Sequence, residues 1–186
     1  MRRLALLLAF MPVQALADPF FEGWLKRCFA EADRQIQVPF NPDTDLSQNH
    51  ASHFSCAYDT LDFCRFTEAP LACAMTALSV IRTETATRLA ELPESIEGEG
   101  INTDDYKRRL ARFRSGQTML QHIESNDAMS QSGKEDAAAS YIETVKRHRR
   151  DWIPLDTFFE VTETVNRAVE VSVLKERVRR AAQVKP

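Results

Sequence analysis

The sequence predicts an all-α fold, a disulfide-stapled helical bundle of about five to six helices. Apolar residues recur at helical spacing along almost the whole chain, and no stretch alternates with period two for long enough to predict a sheet. The cysteines predict a covalent staple at the N-terminal end, because they fall close together at Cys28, Cys56, Cys64 and Cys73.

Residues 1–17 have the pattern of a secretory signal peptide. A charged n-region, an apolar run and a small-x-small cleavage site follow one another at Arg2 and Arg3, residues 4–10, and Ala15 to Ala17. The apolar run is shorter than the roughly 20 residues that a bilayer span needs. We therefore expect cleavage after Ala17, a periplasmic or secreted location, and a single helical domain over residues 18–186.

The first helix is predicted to begin at Asp18, an N-cap that places Pro19 at the first helical position. Its apolar stripe then consists of Phe20, Trp24, Cys28 and Ala32. The helix should end before Val38-Pro39. Residues 39–51 are rich in turn formers without periodicity, so they predict a long loop.

Two helices are predicted in the middle of the chain. Ser52 is the expected cap of a short helix, and Pro70 is expected to open a helix that runs to about Leu92. The short helix carries apolar side chains at helical spacing, namely Phe54, Ala57, Tyr58, Leu61 and Cys64. Gly98 and Gly100 then break the chain.

Three further helices are predicted over about residues 103–123, residues 134–150, and from Asp156 onward. Acidic residues just after Thr103 favour a helix start there, and Asp156 can cap the last helix. Apolar stripes at a period near 3.6 residues support the first and the last of these helices. The stripe of the first consists of Tyr106, Leu110, Phe113, Gln117 and Leu120. The stripe of the last consists of Phe158, Val161, Val165, Ala168, Val169 and Ser172.

In an oxidising compartment, the four cysteines predict two structural disulfides. Cys56 and Cys64 would lie about 12 Å apart along one helix, beyond the roughly 7 Å that a bridge allows between Cα atoms. Two alternatives remain: Cys28–Cys56 with Cys64–Cys73, or Cys28–Cys64 with Cys56–Cys73. We favour the first, because Cys64 and Cys73 flank a turn before Pro70.

Charge is spread unevenly along the chain. Residues 18–101 carry 14 acidic and 6 basic side chains, and residues 102–186 carry 13 acidic and 16 basic ones. We interpret the basic runs around residues 107–114, 146–150 and 175–180 as solvated helix faces, because acidic residues are interleaved and the leader-free chain has a net charge of 22 minus 27, or −5. A nucleic-acid partner is not expected, whereas contact with a membrane surface stays open.

His50, His53 and Cys56 are residue types that bind metals, and Asp43 and Asp45 lie nearby in the sequence. Their spacing matches no established site, and Cys56 is expected in a disulfide. We therefore predict two exposed loop histidines, with no metal and no cofactor.

No catalytic constellation stands out. The carboxylate pairs Asp59 with Asp62 and Glu160 with Glu163 have the i, i+3 spacing that acid/base or dimetal sites use, but neither has a partner motif such as Glu-x-x-His. The chain lacks a Gly-x-Ser-x-Gly elbow and, with five glycines, lacks phosphate-cradling loops. We therefore predict that the protein is not an enzyme.

The stretch Leu71-Ala72-Cys73-Ala74, the helix that follows it to Leu92, and a second helix with Leu110, Phe113, Arg114 and Gln117 resemble the LprI-like lysozyme-inhibitor family over about residues 55–127. Members of that family are small exported helical proteins. The resemblance implies a non-enzymatic binding protein with a periplasmic protein partner, namely a lysozyme-like cell-wall hydrolase. The alternative is an envelope-stress or structural factor that binds unfolded proteins or the membrane surface.

Overall fold

The computed structural model describes residues 14–36, 50–98 and 102–183. Within these ranges the chain is all-α, as predicted, without a strand. The described helices are α1 (Gln14–Gln35), α2 (Ala51–Asp62), a 3-10 helix (Phe63–Phe66), α3 (Pro70–Ala90), α4 (Thr103–Ser115), α5 (Met119–Glu124), α6 (Gln131–His148) and α7 (Leu155–Gln183). None of the helices in these ranges combines the length and apolar character that a membrane crossing requires.

Some sequence predictions fall outside the described residues. They are most of the predicted signal peptide, residues 1–13, most of the predicted long loop, residues 39–49, and the predicted break at Gly100.

Helix α1 begins at Gln14, so the predicted start at Asp18 is wrong for the full chain. Gln, Ala and Leu are good helix formers, and the residues before Asp18 therefore extend the helix upstream. Pro19 becomes the sixth helical residue instead of the first. Helix α2 also begins earlier than predicted, because its N-cap is His50 and Ser52 already lies inside it.

Pro70 occupies the first turn of α3, which confirms the predicted start of that helix. The helix predicted over residues 103–123 is divided into α4 and α5, so the described ranges contain seven α-helices instead of five to six. Gly116 ends α4 with a left-handed φ of 77°, and Thr118 opens α5 through a capping box with Gln121. Helix α6 starts after its cap Ser130, earlier than predicted.

The larger hydrophobic cluster lies between α1, α2, α3 and the first half of α7. On α1 its members are Phe21, Leu25, Phe29 and Ala32. Of the predicted stripe, Ala32 is buried and Cys28 packs against the cluster. The prediction is wrong for Phe20 and Trp24, which are exposed, since the buried face there is rotated by one residue. The stripe predicted for the last helix is confirmed, with each of its six members at most 2 % exposed.

A smaller cluster packs α4 and the segment after α3 against the second half of α7. It contains Leu92, Ile96, Tyr106, Leu110, Phe113, Val171, Leu174 and Ala181. The hydroxyl of Tyr106 donates to the Pro93 carbonyl at 2.8 Å, and that of Thr103 donates to the Ile96 carbonyl at 2.7 Å. These bonds hold the segment after α3 against α4, and α7 runs through both clusters.

Candidate functional site

Two disulfides join the elements at the N-terminal end. Cys28 of α1 bonds Cys56 of α2, with Cα atoms 5.7 Å apart. Cys64 of the 3-10 helix bonds Cys73 of α3, with Cα atoms 5.4 Å apart. This is the pairing that the sequence analysis favoured. The disulfides indicate an oxidising, extracytoplasmic compartment.

Large apolar side chains face solvent on the elements that these disulfides join. Phe66 is 85 % exposed, Phe20 55 % and Phe63 53 %. Among the described residues, six large apolar side chains are exposed in this way, and all of them belong to these elements. We call this set the exposed apolar surface: Phe20 and Trp24 of α1, Phe63 and Phe66 of the 3-10 helix, and Leu71 and Met75 of α3.

Backbone geometry arranges the exposed apolar surface as three pairs. The two members from each α-helix are four residues apart, and the two from the 3-10 helix are three apart, so each pair shares one side of its element. The Phe63 ring connects two of the elements. Its centroid lies 5.6 Å from that of Phe20 and 6.0 Å from that of the buried Phe21.

This surface was not predicted from the sequence, because Phe20 and Trp24 were expected in the core. A signal was present in the dipeptide Phe20-Phe21, since neighbouring residues point about 100° apart on a helix and only one of them fits a narrow buried stripe. The choice between the two stripes depends on how α1 packs against α2 and α3, which local spacing does not contain.

The basic end of α6 adjoins the exposed apolar surface. Arg150 donates from Nε and Nη2 to the two carboxylate oxygens of Asp62, each at 3.1 Å, and Asp62 directly precedes Phe63. The Arg150 guanidinium also lies over the Tyr58 ring, 4.9 Å from its centroid. Residues 146–149 are exposed, as predicted for that run. Exposed basic residues therefore directly precede Arg150, whose own charge is paired with Asp62.

The other two basic runs, around residues 107–114 and 175–180, are only partly solvated, so that prediction is right in part. Arg108 is 76 % exposed, whereas Arg177 is 11 % exposed and lies 2.7 Å from Asp105 of α4.

Glu170 of α7, whose side chain is 6 % exposed, lies 3.1 Å from Arg112 and 3.7 Å from Arg109. Arg112 itself is only 15 % exposed. Packing of α4 against α7 buries these pairs, which makes them part of the fold.

His50 and His53 are fully buried, so the prediction of two exposed loop histidines is wrong. Their Nδ1 atoms lie 3.3 Å apart, and Nε2 of His53 lies 2.8 Å from Oδ1 of Asp33 on α1. The Phe29 ring, also on α1, packs edge-on against His53 with centroids 5.4 Å apart. The groups that bury the histidines thus come from a helix distant in sequence.

The electrostatics of this cluster indicate a structural role. Burial, aided by the neighbouring His53, lowers the pKa of His50 to about 4. Burial raises the pKa of Asp33, but the hydrogen bond with His53 and the charges of Arg88 and Lys175 outweigh it and bring the pKa to about 2. At neutral pH, Asp33 is therefore a carboxylate surrounded by donors from other helices.

In the part of the chain that the structure describes, the side chains considered as metal ligands do not form a metal site. Cys56 is in its disulfide, and Asp43 and Asp45 lie outside the described residues. Within residues 14–36, 50–98 and 102–183, no three His, Cys, Asp or Glu side chains are grouped so as to hold a metal ion.

The carboxylate pair Glu160 and Glu163 has structural partners. Glu160 forms an ion pair with Arg82. Glu163 accepts the Met119 backbone N–H at 3.0 Å and the Tyr141 hydroxyl at 2.6 Å. Burial raises the pKa of Tyr141, and the bond to Glu163 raises it further. These contacts connect α7 to α3, α5 and α6.

The chain matches no family model, no curated protein and no solved structure. The exposed apolar surface is therefore the candidate site on structural grounds alone.

Proposed function

We propose that this chain is a periplasmic, non-enzymatic protein that binds a protein partner through the exposed apolar surface. One observation carries the proposal: six large apolar side chains, four of them aromatic, are open to solvent on elements joined by disulfides. Exposed large apolar side chains on neighbouring elements are candidates for an interaction site, and aromatic anchors contribute most of the energy in protein interfaces. The disulfides make such a surface rigid, which lowers the entropy cost of binding.

The proposed partner is a cell-wall hydrolase of the lysozyme class. Support comes from the resemblance of about residues 55–127 to the LprI-like lysozyme-inhibitor family. That stretch includes four of the six members of the surface, namely Phe63, Phe66, Leu71 and Met75. Inhibition would come from occupying the surface of the hydrolase, without chemistry by this chain.

The test is the turnover of lysozyme and of a lytic transglycosylase on cell-wall substrate, with the leader-free, oxidised chain added. We expect inhibition of at least one of these hydrolases, weakened about tenfold or more by Phe66→Asp, as for loss of an interface anchor. Phe66 is 85 % exposed, so the substitution should leave the fold intact. Ala139→Asp on the exposed face of α6 is the matched control and should inhibit like the wild type. Full turnover of both hydrolases at saturating protein would contradict the proposed partner.

A second candidate function is association with an anionic membrane surface. The observation that favours it is the contact of Arg150, which follows the exposed basic residues 146–149, with Asp62, the residue before Phe63. Cationic groups beside exposed aromatic rings are typical of proteins that lie on membranes.

Flotation with phosphatidylglycerol vesicles tests the second candidate. It predicts binding that weakens at high salt, because the cationic groups are exposed, and that is lost in both Phe66→Asp and Arg147→Glu. Absence of the protein from the vesicle fraction at low salt would reject this candidate. Binding lost in Phe66→Asp but unaffected by salt and by Arg147→Glu would reject the electrostatic part of it.

A further inference from the structure

A groove of about 740 Å³ lies between the second half of α3, α7, and the junction of α4 with α5. Its volume is within the range of about 300–1,000 Å³ that is usual for small-molecule sites. It is separate from the exposed apolar surface. Along α3 the nearest members of the two sets, Met75 of the surface and Arg82 of the groove, are seven residues apart, about 10 Å.

The groove has apolar walls contributed by three parts of the fold. Ala86 and Leu89 come from α3, Phe113, Met119 and Leu120 from the region where α4 meets α5, and Phe159 from α7. A hydrocarbon chain placed along these side chains would lose its contact with water, which is the main driving force for binding apolar groups.

Most charged side chains of the groove already have partners of opposite charge. Arg82 pairs with Glu160. Arg112 lies 3.1 Å from Glu170, and Arg114 lies 2.6 Å from Glu94. These arginines are therefore neutralised by the fold itself.

Arg167 differs from the other arginines of the groove. Its guanidinium donates to the Phe113 carbonyl, and within the described residues no carboxylate lies at ion-pair distance from it. The side chain is half-buried. Burial lowers the pKa of Arg167, and Arg112 lowers it further while Glu163 opposes this. Glu163, one turn earlier on α7, also lines the groove, but its carboxylate accepts the Met119 N–H and the Tyr141 hydroxyl instead of forming an ion pair with Arg167. A half-buried cation without an ion-pair partner is stabilised when an anion binds directly to it.

We propose that this groove binds a single-chain amphiphile with an anionic head group, placing the head group on Arg167 and the hydrocarbon chain along the apolar walls. Carboxylate and phosphate both suit a guanidinium, because each can accept two parallel N–H bonds. The ligand class is therefore fatty acids or alkyl phosphates.

Isothermal titration of the leader-free, oxidised chain tests this proposal, with each probe kept below its micelle concentration. The probes are laurate, dodecyl phosphate, dodecanol and dodecylamine, which share a chain length and differ in head-group charge. We expect at least one of the two anions to bind about tenfold or more tightly than dodecanol, the factor that one charge-assisted hydrogen bond supplies. The ratio of the two anion affinities then distinguishes carboxylate from phosphate.

Three variants locate the site. Arg167→Gln should remove the preference for anions and leave dodecanol binding unchanged, whereas Arg108→Gln, at a side chain of α4 that is 76 % exposed, should change neither. Ala86→Trp should fill the groove and weaken binding of every probe, which keeps the proposal testable if Arg167→Gln does not fold. Equal affinities for all four probes, no binding of either anion, or binding that is abolished by Phe66→Asp and unaffected by Ala86→Trp would overturn the proposal.

Discussion

Asp33 and His53 lie 20 residues apart in the sequence and are joined by a contact of 2.8 Å between Oδ1 and Nε2. The same carboxylate lies 3.2 Å from Arg88 of α3 and 3.3 Å from Lys175 of α7. One acidic side chain of α1 therefore connects α1 with three other helices. This polar centre lies beside the larger hydrophobic cluster, where it packs against Phe29.

Removing the carboxylate should destabilise the fold. Asp33→Asn should lower the free energy of unfolding by about 2 kcal/mol, because Arg88, at 7 % exposed, loses one of its counter-charges in a buried setting. Urea unfolding at pH 7 measures the change. The control is Glu22→Gln, which removes an exposed ion pair with Lys26 and should leave the unfolding midpoint nearly unchanged, because water screens such a pair. Equal effects of the two substitutions would contradict a central role for Asp33.

Stability should fall as the pH is lowered from 6.5 to 4, owing to His50. The pKa of this side chain is about 4 in the fold against an ordinary value of 6.5, so the unfolded chain binds the additional proton within that interval. The free energy of unfolding should therefore drop by about 3 kcal/mol over that range. The negative charges of Asp33 and Glu176 favour the protonated imidazole, but burial of His50 outweighs them. Below about pH 4 the contribution of Asp33 is lost as well, since its folded pKa is about 2.

His50→Gln tests the origin of this pH dependence. The variant should have a flatter profile of unfolding free energy between pH 6.5 and 4, whatever its stability at pH 7. His148→Gln, at an exposed position at the end of α6, should keep the wild-type profile. If the His50 variant shows the same slope as the wild type, another group accounts for the acid sensitivity.

The two disulfides should contribute unequally to stability. Loop-closure entropy predicts about 3.5 kcal/mol for Cys28–Cys56, which closes 28 residues, and about 2.5 kcal/mol for Cys64–Cys73, which closes 9. Paired Cys→Ser variants, compared with the oxidised wild type in urea unfolding, measure both values. A larger loss for the shorter loop would show that packing at the 3-10 helix outweighs chain entropy.

Two glycines should respond to alanine with opposite signs. Gly116→Ala should destabilise the fold by about 1 kcal/mol, because its φ of 77° is strained for alanine although no atom lies within 4 Å of the added Cβ. Gly23→Ala in α1 should stabilise it by about 0.5–1 kcal/mol, since its backbone is helical and the nearest atom is the flexible end of Arg27 at 3.5 Å. Thermal melting of the two variants, compared with the wild type, measures both stability changes. Loss of stability in both would contradict the assigned backbone conformations.

The parts of the fold that depend on local chemistry could be predicted from the sequence. Pro70 marks a helix start because its missing N–H is harmless only in the first turn. The apolar repeat from Phe158 to Ser172 also predicts its buried face, because the stripe is unambiguous. The spacing of Cys56 and Cys64 excludes a bond between them within one helix and leaves two pairings. The turn between Cys64 and Cys73 favours the observed one.

The candidate site depends on non-local packing and was largely missed. Phe20 and Phe21 offer two equally apolar stripes, and contacts with α2 and α3 decide between them. His50 and His53 look exposed until α1 covers them. The groove exists only where α3, α7 and the turn at Gly116 meet. Within the described ranges Arg167 forms no ion pair, which the sequence does not reveal because Glu163 precedes it by four residues.

The central claim is that a protein partner covers Phe66. The most direct measurement places a photo-crosslinking phenylalanine analogue at position 66, or at position 139 as a control, in the exported chain within living cells. Irradiation followed by mass spectrometry identifies what each position touches. We expect a discrete adduct with a cell-wall hydrolase from position 66 and none from position 139. Lipid adducts alone, or the same proteins from both positions, would contradict it.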